Sequence, residues 1–219
     1  MPDKTNLLFI LTDDQGAWAM RCAGNSEIKS PNLDRLAATG LRFENFFCAS
    51  PVCSPARASI LTGSIPSQHG IQDFLRGGNS DLFKSGQGMN KPPTGDHAIE
   101  YLEGQQAYTD LLAQEGYSCA LSGKWHMGYS EKPQKSFTFW EVHASGGGPY
   151  YEAPMIRDGK SYRASDYVSD HFTDNAIRFL EEQKESDQPF CLNVHYTAPH
   201  APWGREHHPP ELFNDYFDN

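Results

Sequence analysis

The sequence lacks a long hydrophobic run. The apolar stretch Leu7–Leu11 near the start has five residues, far fewer than the roughly 20 that a membrane helix needs. It also lacks the cleavage pattern of a signal peptide. We therefore expect no membrane span and, unless a signal was removed, a cytoplasmic location.

Basic residues are also in short supply. Lys and Arg number 18 against 28 Asp and Glu, which gives a formal net charge of −10 and a pI of about 5.3. Such a chain is poorly suited to binding nucleic acid or an anionic membrane through its overall field. If the substrate is an anion, a few local cations or a metal ion must attract it.

The cysteines do not form a recognisable framework. There are five of them, and their spacing fits neither a zinc site nor a small disulfide scaffold. At least one is therefore unpaired. Buried thiols in a reducing compartment are the ordinary explanation for any one of them.

What is present is the composition of a globular α/β protein. The 219 residues are 38% hydrophobic, enough for one domain with a real core. Strand and helix patterns alternate, which favours a mainly parallel central sheet with helices on both faces. The predicted strands are 7–11, 117–121 and 189–196, and the predicted helices are 31–39, 53–61, 109–115 and 167–184, with 41–43 extended and 75–98 and 144–164 irregular.

Polar residues follow each of the three predicted strands. Asp13 and Asp14 come after the first, Lys124 and His126 after the second, and His200 after the third. Since ligands of parallel sheets bind beyond the carboxyl ends of the strands, these side chains should meet in one crevice. Paired carboxylates suit a hard cation such as calcium, although aspartates at strand ends are also common in turns and helix caps.

The most specific signal is the segment from Cys53 to Gly63, which reads Cys-Ser-Pro-Ala-Arg-Ala-Ser-Ile-Leu-Thr-Gly. A structural cysteine at a helix start would account for Cys53 but not for Arg57 and the Leu-Thr-Gly that follows. The segment resembles the signature of the formylglycine-dependent sulfatases, in which Cys-x-Pro-Ser/Ala-Arg precedes Leu-Thr-Gly.

The resemblance extends along the chain. Four further segments are similar to motifs of that family. They are the strand ending in Asp-Asp-Gln-Gly at residue 16, Ser-Pro-Asn-Leu-Asp-Arg-Leu-Ala at 30–37, Gly-Lys-Trp-His-Met-Gly at 123–128 and Ala-Pro-His-Ala-Pro at 198–202. The resemblance implies an alkaline-phosphatase-like fold. It also implies that residues 1–219 form the N-terminal part of a single catalytic domain whose C-terminal part is missing.

The resemblance further implies the chemistry of each site residue. Cys53 would be oxidised to Cα-formylglycine by a formylglycine-generating enzyme or an anaerobic maturase. Calcium, or alternatively magnesium, would be held by Asp13, Asp14 and the diol oxygen at position 53. Arg57 would hold the diol, which an anion-favouring helix N-terminus also stabilises.

The remaining site residues are predicted from the same motifs. Lys124 would bind a sulfate oxygen, His200 would protonate the leaving alcohol and His126 would accept the proton of the residual hydroxyl. His69 and Ser145 are further candidates for lining the substrate pocket. His195, on the strand before His200, is expected to be a core or supporting residue.

The sequence also departs from the family. The family's further metal ligands lie on a downstream strand, and this chain ends 19 residues after His200. No apolar strand leads into the terminal Asp218 and Asn219, so we expect exposed surface chain there and little activity from the isolated fragment.

Two other functions fit the same motifs. One is a phosphatase or phosphonate monoester hydrolase of the same superfamily, and the other is an inactive relative that binds without catalysis. For the sulfatase function, the expected substrate is a sulfated small molecule or glycan.

Overall fold

The computed structural model describes residues 4–81 and 97–218. Most of the predicted irregular segment 75–98 lies outside these residues, as does Asn219. The described parts contain six strands and six α-helices, in the order one strand, four helices, four strands, one helix, one strand and one helix. Within them, no helix is both long and apolar enough to cross a membrane.

The strands form one sheet in the order β1-β6-β2-β3-β4-β5. The first four are parallel to one another, and β4 and β5 continue the sheet in antiparallel fashion. The predicted mainly parallel sheet is therefore confirmed. The strands are β1 (Leu7–Leu11), β2 (Ser118–Lys124), β3 (Phe137–His143), β4 (Ala153–Arg157), β5 (Lys160–Ala164) and β6 (Phe190–His195).

Helices cover both faces of the sheet, as predicted. They are α1 (Pro31–Thr39), α2 (Cys53–Thr62), α3 (Pro66–His69), α4 (Tyr108–Gln114), α5 (Val168–Gln183) and α6 (Pro210–Phe217). Successive residues of a strand point to opposite faces of the sheet, and β2 packs on both faces. Leu121 joins the core cluster that includes Ala58 and Leu61 of α2, whereas Ala120 joins the cluster with Phe179 of α5.

Two local predictions were wrong. Residues 144–164 are not irregular throughout, because β4 and β5 form a hairpin there. The segment 41–43 forms no strand. As expected, no strand leads into Asp218, which is exposed. The residues before it form the helix α6, in which the ring of Phe213 stacks on His208 and Phe217.

Candidate active site

The carboxyl ends of the four parallel strands lie at one edge of the sheet. Because β1, β6, β2 and β3 run the same way, the residues that follow them are brought together. The predicted convergence of Asp13, Lys124 and the segment after β6 is observed in two contacts. The backbone N–H of Asp13 donates to the carbonyl of Ala198 at 3.1 Å, and the side chains of Asp13 and Lys124 form an ion pair.

A buried ion cluster occupies the centre of this edge. Nη2 of Arg57 donates to Oδ2 of Asp13 at 2.9 Å, and Nη1 of Arg57 donates to the backbone carbonyl of Lys124 at 2.9 Å. The Lys124 ammonium pairs with the same Asp13 oxygen. All three residues are at least 95% buried. Two cations therefore share one carboxylate, which leaves an excess positive charge inside the protein.

The pKa directions reflect this composition. Burial alone would raise the pKa of Asp13, but the charges of Arg57 and Lys124 outweigh burial and lower it. The pKa of Lys124 is lowered by burial first and by repulsion from Arg57 next, against the attraction of Asp13. An added anion would relieve that repulsion, so the cluster favours binding of a negatively charged group.

Cys53 is the first residue of α2, and Arg57 follows one turn later on the same helical face. Its thiol, which is half-buried, lies close enough to Arg57 and Lys124 to interact with their charges. The helix ends at Gly63, whose φ of 67° is natural for glycine and whose N–H donates to the carbonyl of Ser59. The signature segment thus forms a single helix that carries both Cys53 and Arg57 to the sheet edge.

Three potential metal ligands meet beside this cluster. One ligand atom each from Asp13, Asp14 and His200 lies within 4.8 Å of the others, and Nε2 of His200 is 3.6 Å from Oδ2 of Asp14. Asp14 is exposed and has a φ of 60°, an uncommon conformation for a residue with a side chain. Two carboxylates at this spacing suit a hard divalent cation.

His126 is buried next to the ion cluster. Its Nε2 is 2.9 Å from the carbonyl of Leu75, and its Nδ1 has no hydrogen-bond partner among the described residues. Burial, followed by the charge of Lys124, lowers the pKa of His126 to about 3. The ring is therefore neutral near pH 7. With Nε2–H donating to Leu75, Nδ1 keeps a free lone pair that can accept a proton.

A glycine-rich loop covers both predicted catalytic histidines. A Cβ on Gly146 would lie 2.1 Å from the His126 ring, and one on Gly147 would lie 3.6 Å from His200. Nδ1 of His200 is 2.7 Å from the carbonyl of Ala201. This contact fixes the ring and leaves Nε2 facing Asp14.

The two weaker candidates make contacts of their own. Nε2 of His69 is 3.0 Å from Oγ of Ser59, and its Nδ1 accepts the backbone N–H of Ile71. Oγ of Ser145 donates to the carbonyl of Gly147 at 3.1 Å. Both side chains thus have partners within the protein, and their predicted contact with substrate stays a prediction.

His195 was expected to be a core or supporting residue, and only its contact with Arg57 was not predicted. It lies at the end of β6 and contacts both Arg57 and the backbone of Lys124. Its five-residue distance from His200 was the only available signal, and that spacing does not distinguish a core residue from a site residue.

Comparisons with known proteins identify sulfatases as relatives of this chain. A curated N-acetylglucosamine-6-O-sulfatase of Bacteroides thetaiotaomicron is 35% identical over 91% of this chain and 31% of its own. An ulvan-active sulfatase of Formosa agariphila is 30% identical over 99% of this chain and 39% of its own. A solved structure of a protein with its substrate D-glucosamine-2-N,6-O-disulfate is 32% identical, with a TM-score of 0.78 over 99% of this chain and 38% of that one.

Fold and site together define an α/β protein of the alkaline-phosphatase-like fold, with a buried cluster of two cations and one carboxylate at the carboxyl ends of its parallel strands. The Sulfatase family model matches residues 5–219, and the chain belongs to that family. It spans about a third of the length of these relatives.

Proposed function

We propose that the protein hydrolyses sulfate esters of carbohydrates through a nucleophile formed from Cys53. The observation that carries this proposal is the position of Cys53 in the first turn of α2, within electrostatic reach of the buried Arg57 and Lys124. Overall, water replaces the alcohol on sulfur, so that the ester's S–O bond breaks and an alcohol and sulfate are released.

Formylglycine made from Cys53 would supply a hydrated aldehyde, an oxygen nucleophile in place of the thiol. Arg57 orients that group, because its guanidinium is held by Asp13 and by the Lys124 carbonyl. Because the guanidinium of Arg57 is already held in place, it does not have to reorient when negative charge develops in the transition state. The position at a helix N-terminus favours a developing anion in the same way.

The sulfate group would be bound by the excess positive charge of the cluster. Lys124 supplies an ammonium whose single carboxylate partner is shared with Arg57. Asp13 and Asp14 would hold a divalent cation that neutralises sulfate oxygens. Local attraction of this kind overcomes the net charge of −10, which would otherwise repel an anion.

Two histidines would move the protons. His200 lies at the crevice beside Asp14 and donates a proton to the departing alcohol oxygen. His126 is neutral with an unpaired Nδ1 among the described residues, and that atom accepts the proton of the hydroxyl left on residue 53. The two rings lie under the same glycine loop.

The substrate is proposed to be a sugar sulfate carrying its ester on a primary alcohol. One compared relative is named an N-acetylglucosamine-6-O-sulfatase, and one compared structure holds as its substrate D-glucosamine-2-N,6-O-disulfate, which carries a 6-O-sulfate. A substrate panel should therefore start with N-acetylglucosamine-6-sulfate.

Conversion of Cys53 is the first prediction. The full-length protein should be produced with a formylglycine-generating enzyme and digested with trypsin. The peptide 43–57 contains both Cys48 and Cys53, so fragment ions must locate the change. We expect a loss of about 18 daltons on residue 53, because oxygen replaces sulfur and two hydrogens at the nucleophile.

Cys48 provides a matched control. It is an exposed free cysteine five residues before Cys53. Cys48→Ala should retain hydrolysis of N-acetylglucosamine-6-sulfate, whereas Cys53→Ala should abolish it. An intact thiol at 53 in cells that convert a known sulfatase, or preferred hydrolysis of phosphate monoesters, would overturn the proposal.

A further inference from the structure

His195 makes a contact that its position on a core strand does not require. The side chain is 94% buried at the end of β6. Its Nδ1 lies 3.2 Å from Nη1 of Arg57 and 3.2 Å from the carbonyl oxygen of Lys124. Nη1 of Arg57 in turn donates to that same carbonyl at 2.9 Å. The three groups form a closed triangle.

Nδ1 of His195 faces one donor and one acceptor, so it could donate to the Lys124 carbonyl or accept from Arg57. That carbonyl already accepts from Nη1 of Arg57, whereas Arg57 can only donate. We therefore assign a neutral ring with its proton on Nε2 and with Nδ1 accepting from Arg57. Burial, with the nearby guanidinium as the next cause, lowers the pKa of His195 to about 3, in agreement with a neutral ring.

The contact with His195 adds a third hydrogen-bond partner to the guanidinium of Arg57. Nη2 is fixed by Asp13, and Nη1 is fixed from two sides by the Lys124 carbonyl and His195. We propose that His195 is a positioning residue that fixes the guanidinium of Arg57 for the reaction. The inference rests on the proposed function, in which Arg57 orients the nucleophile at position 53.

Stability does not explain this histidine. Nε2 of His195 has no hydrogen-bond partner among the described residues, and an unsatisfied buried donor destabilises the folded state. Without the histidine, Nη1 of Arg57 would still bond to the Lys124 carbonyl. An apolar residue here should therefore be tolerated by the fold, which separates positioning from a structural role.

Two variants of His195 test the inference in the full-length protein. Leu fills the space without an acceptor, and Asn places its amide oxygen where Nδ1 lies. His195→Leu should lower kcat about 10- to 100-fold on N-acetylglucosamine-6-sulfate, as expected for a misplaced catalytic group. KM should change less than about threefold, and the melting temperature should stay the same or rise. His195→Asn should recover most of kcat.

A double-mutant cycle with Arg57→Lys gives the decisive comparison. If His195 acts through Arg57, His195→Leu should cost little further activity once the guanidinium is gone. Leu192→Ala is the control, because Leu192 is buried on the same strand against α5. It should lower stability and combine additively with Arg57→Lys. Additive loss for His195→Leu, or a loss of kcat matched by loss of fold, would overturn the inference.

A second measurement does not depend on turnover. ¹⁵N NMR of the histidine side chains should show the His195 proton on Nε2 and an unprotonated Nδ1 near pH 7. A protonated Nδ1 would contradict the triangle and the inference with it. Absence of wild-type hydrolysis despite conversion of Cys53 would instead overturn the proposed function, and NMR would still decide whether His195 holds Arg57.

Discussion

Asp13 and Asp14 are adjacent carboxylates with opposite surroundings. The side chain of Asp13 is 4% exposed and accepts contacts from two cations, whereas that of Asp14 is 57% exposed. Both are predicted to bind the same metal ion. Their contributions to stability without metal should nevertheless differ strongly, because only Asp13 neutralises buried charge.

This difference gives a prediction at the residue scale. Asp13→Asn leaves Arg57 and Lys124 buried without a counter-charge and should lower the free energy of unfolding by about 3–5 kcal/mol. Asp14→Asn should change it by less than about 1 kcal/mol. Urea denaturation with EDTA present excludes the contribution of metal binding. Equal losses in the two variants would contradict the structural role given to Asp13.

The sequence predicted which candidate residues lie together better than it predicted their contacts. Lys124 lies at the end of its strand as strand-end reasoning indicated, and Cys53 and Arg57 lie near it as the family resemblance implied. The arrangement of Arg57, His195 and the Lys124 carbonyl could not be predicted, because it depends on the register of β2 against β6. That register is a tertiary property and leaves no periodic signal in either strand.

The close approach of β2 and β6 is the main feature at the scale of elements. Gly123 pairs in register with His195 and has a φ of 117°. A Cβ at this position would lie 2.0 Å from the carbonyl oxygen of His195. Since the obstructing atom belongs to the backbone, the strands themselves would have to move apart.

Gly123→Ala should therefore lower the free energy of unfolding by about 3 kcal/mol or more, because it combines overpacking with an unfavourable φ. Gly116→Ala is the matched control. Gly116 also has a positive φ, of 86°, but no atom lies within 4 Å of the place that an added methyl group would take, so only the backbone conformation should cost about 1 kcal/mol. Chemical denaturation of both variants measures the difference in their free energies of unfolding. Similar losses would show that the close approach of β2 and β6 does not contribute to the cost of Gly123→Ala.

Elements were predictable where the sequence carries an apolar pattern. The apolar runs of β2 and β6, which are buried, were identified, and so was the amphipathic α5. The apolar run of β1 was identified as well, although β1 is an edge strand with Leu8 and Ile10 exposed. The edge strand β5, Lys-Ser-Tyr-Arg-Ala, is largely exposed and has no hydrophobic signal. The aromatic strand β3 was missed although Phe137 and Trp140 pack in the core. Its sequence is interrupted by Glu141, which is paired with Arg157 and Arg178 inside the protein.

At the scale of the whole molecule, buried neutral histidines couple stability to pH. Burial is the first cause that lowers the pKa of His126 and His195 to about 3 and of His143 to about 4. In the unfolded chain each would titrate near its ordinary value of about 6.5. The unfolded state therefore binds more protons than the folded state between about pH 6.5 and about pH 4.

Stability should consequently be full above about pH 6.5 and fall as the pH is lowered toward about 4, with each such histidine contributing a slope of at most about 1.4 kcal/mol per pH unit.

His143→Asn removes one of these buried histidines while keeping an acceptor for the N–H of Ser145, which now donates to Nδ1 at 3.1 Å. Urea denaturation at pH 7, 6 and 5 should show a shallower fall for this variant than for the wild type. His97, whose side chain is 94% exposed, is the control, since His97→Asn should leave the slope unchanged. A wild-type free energy of unfolding that is flat from pH 7 to 5 would mean that water reaches these rings and that they are protonated in the folded protein.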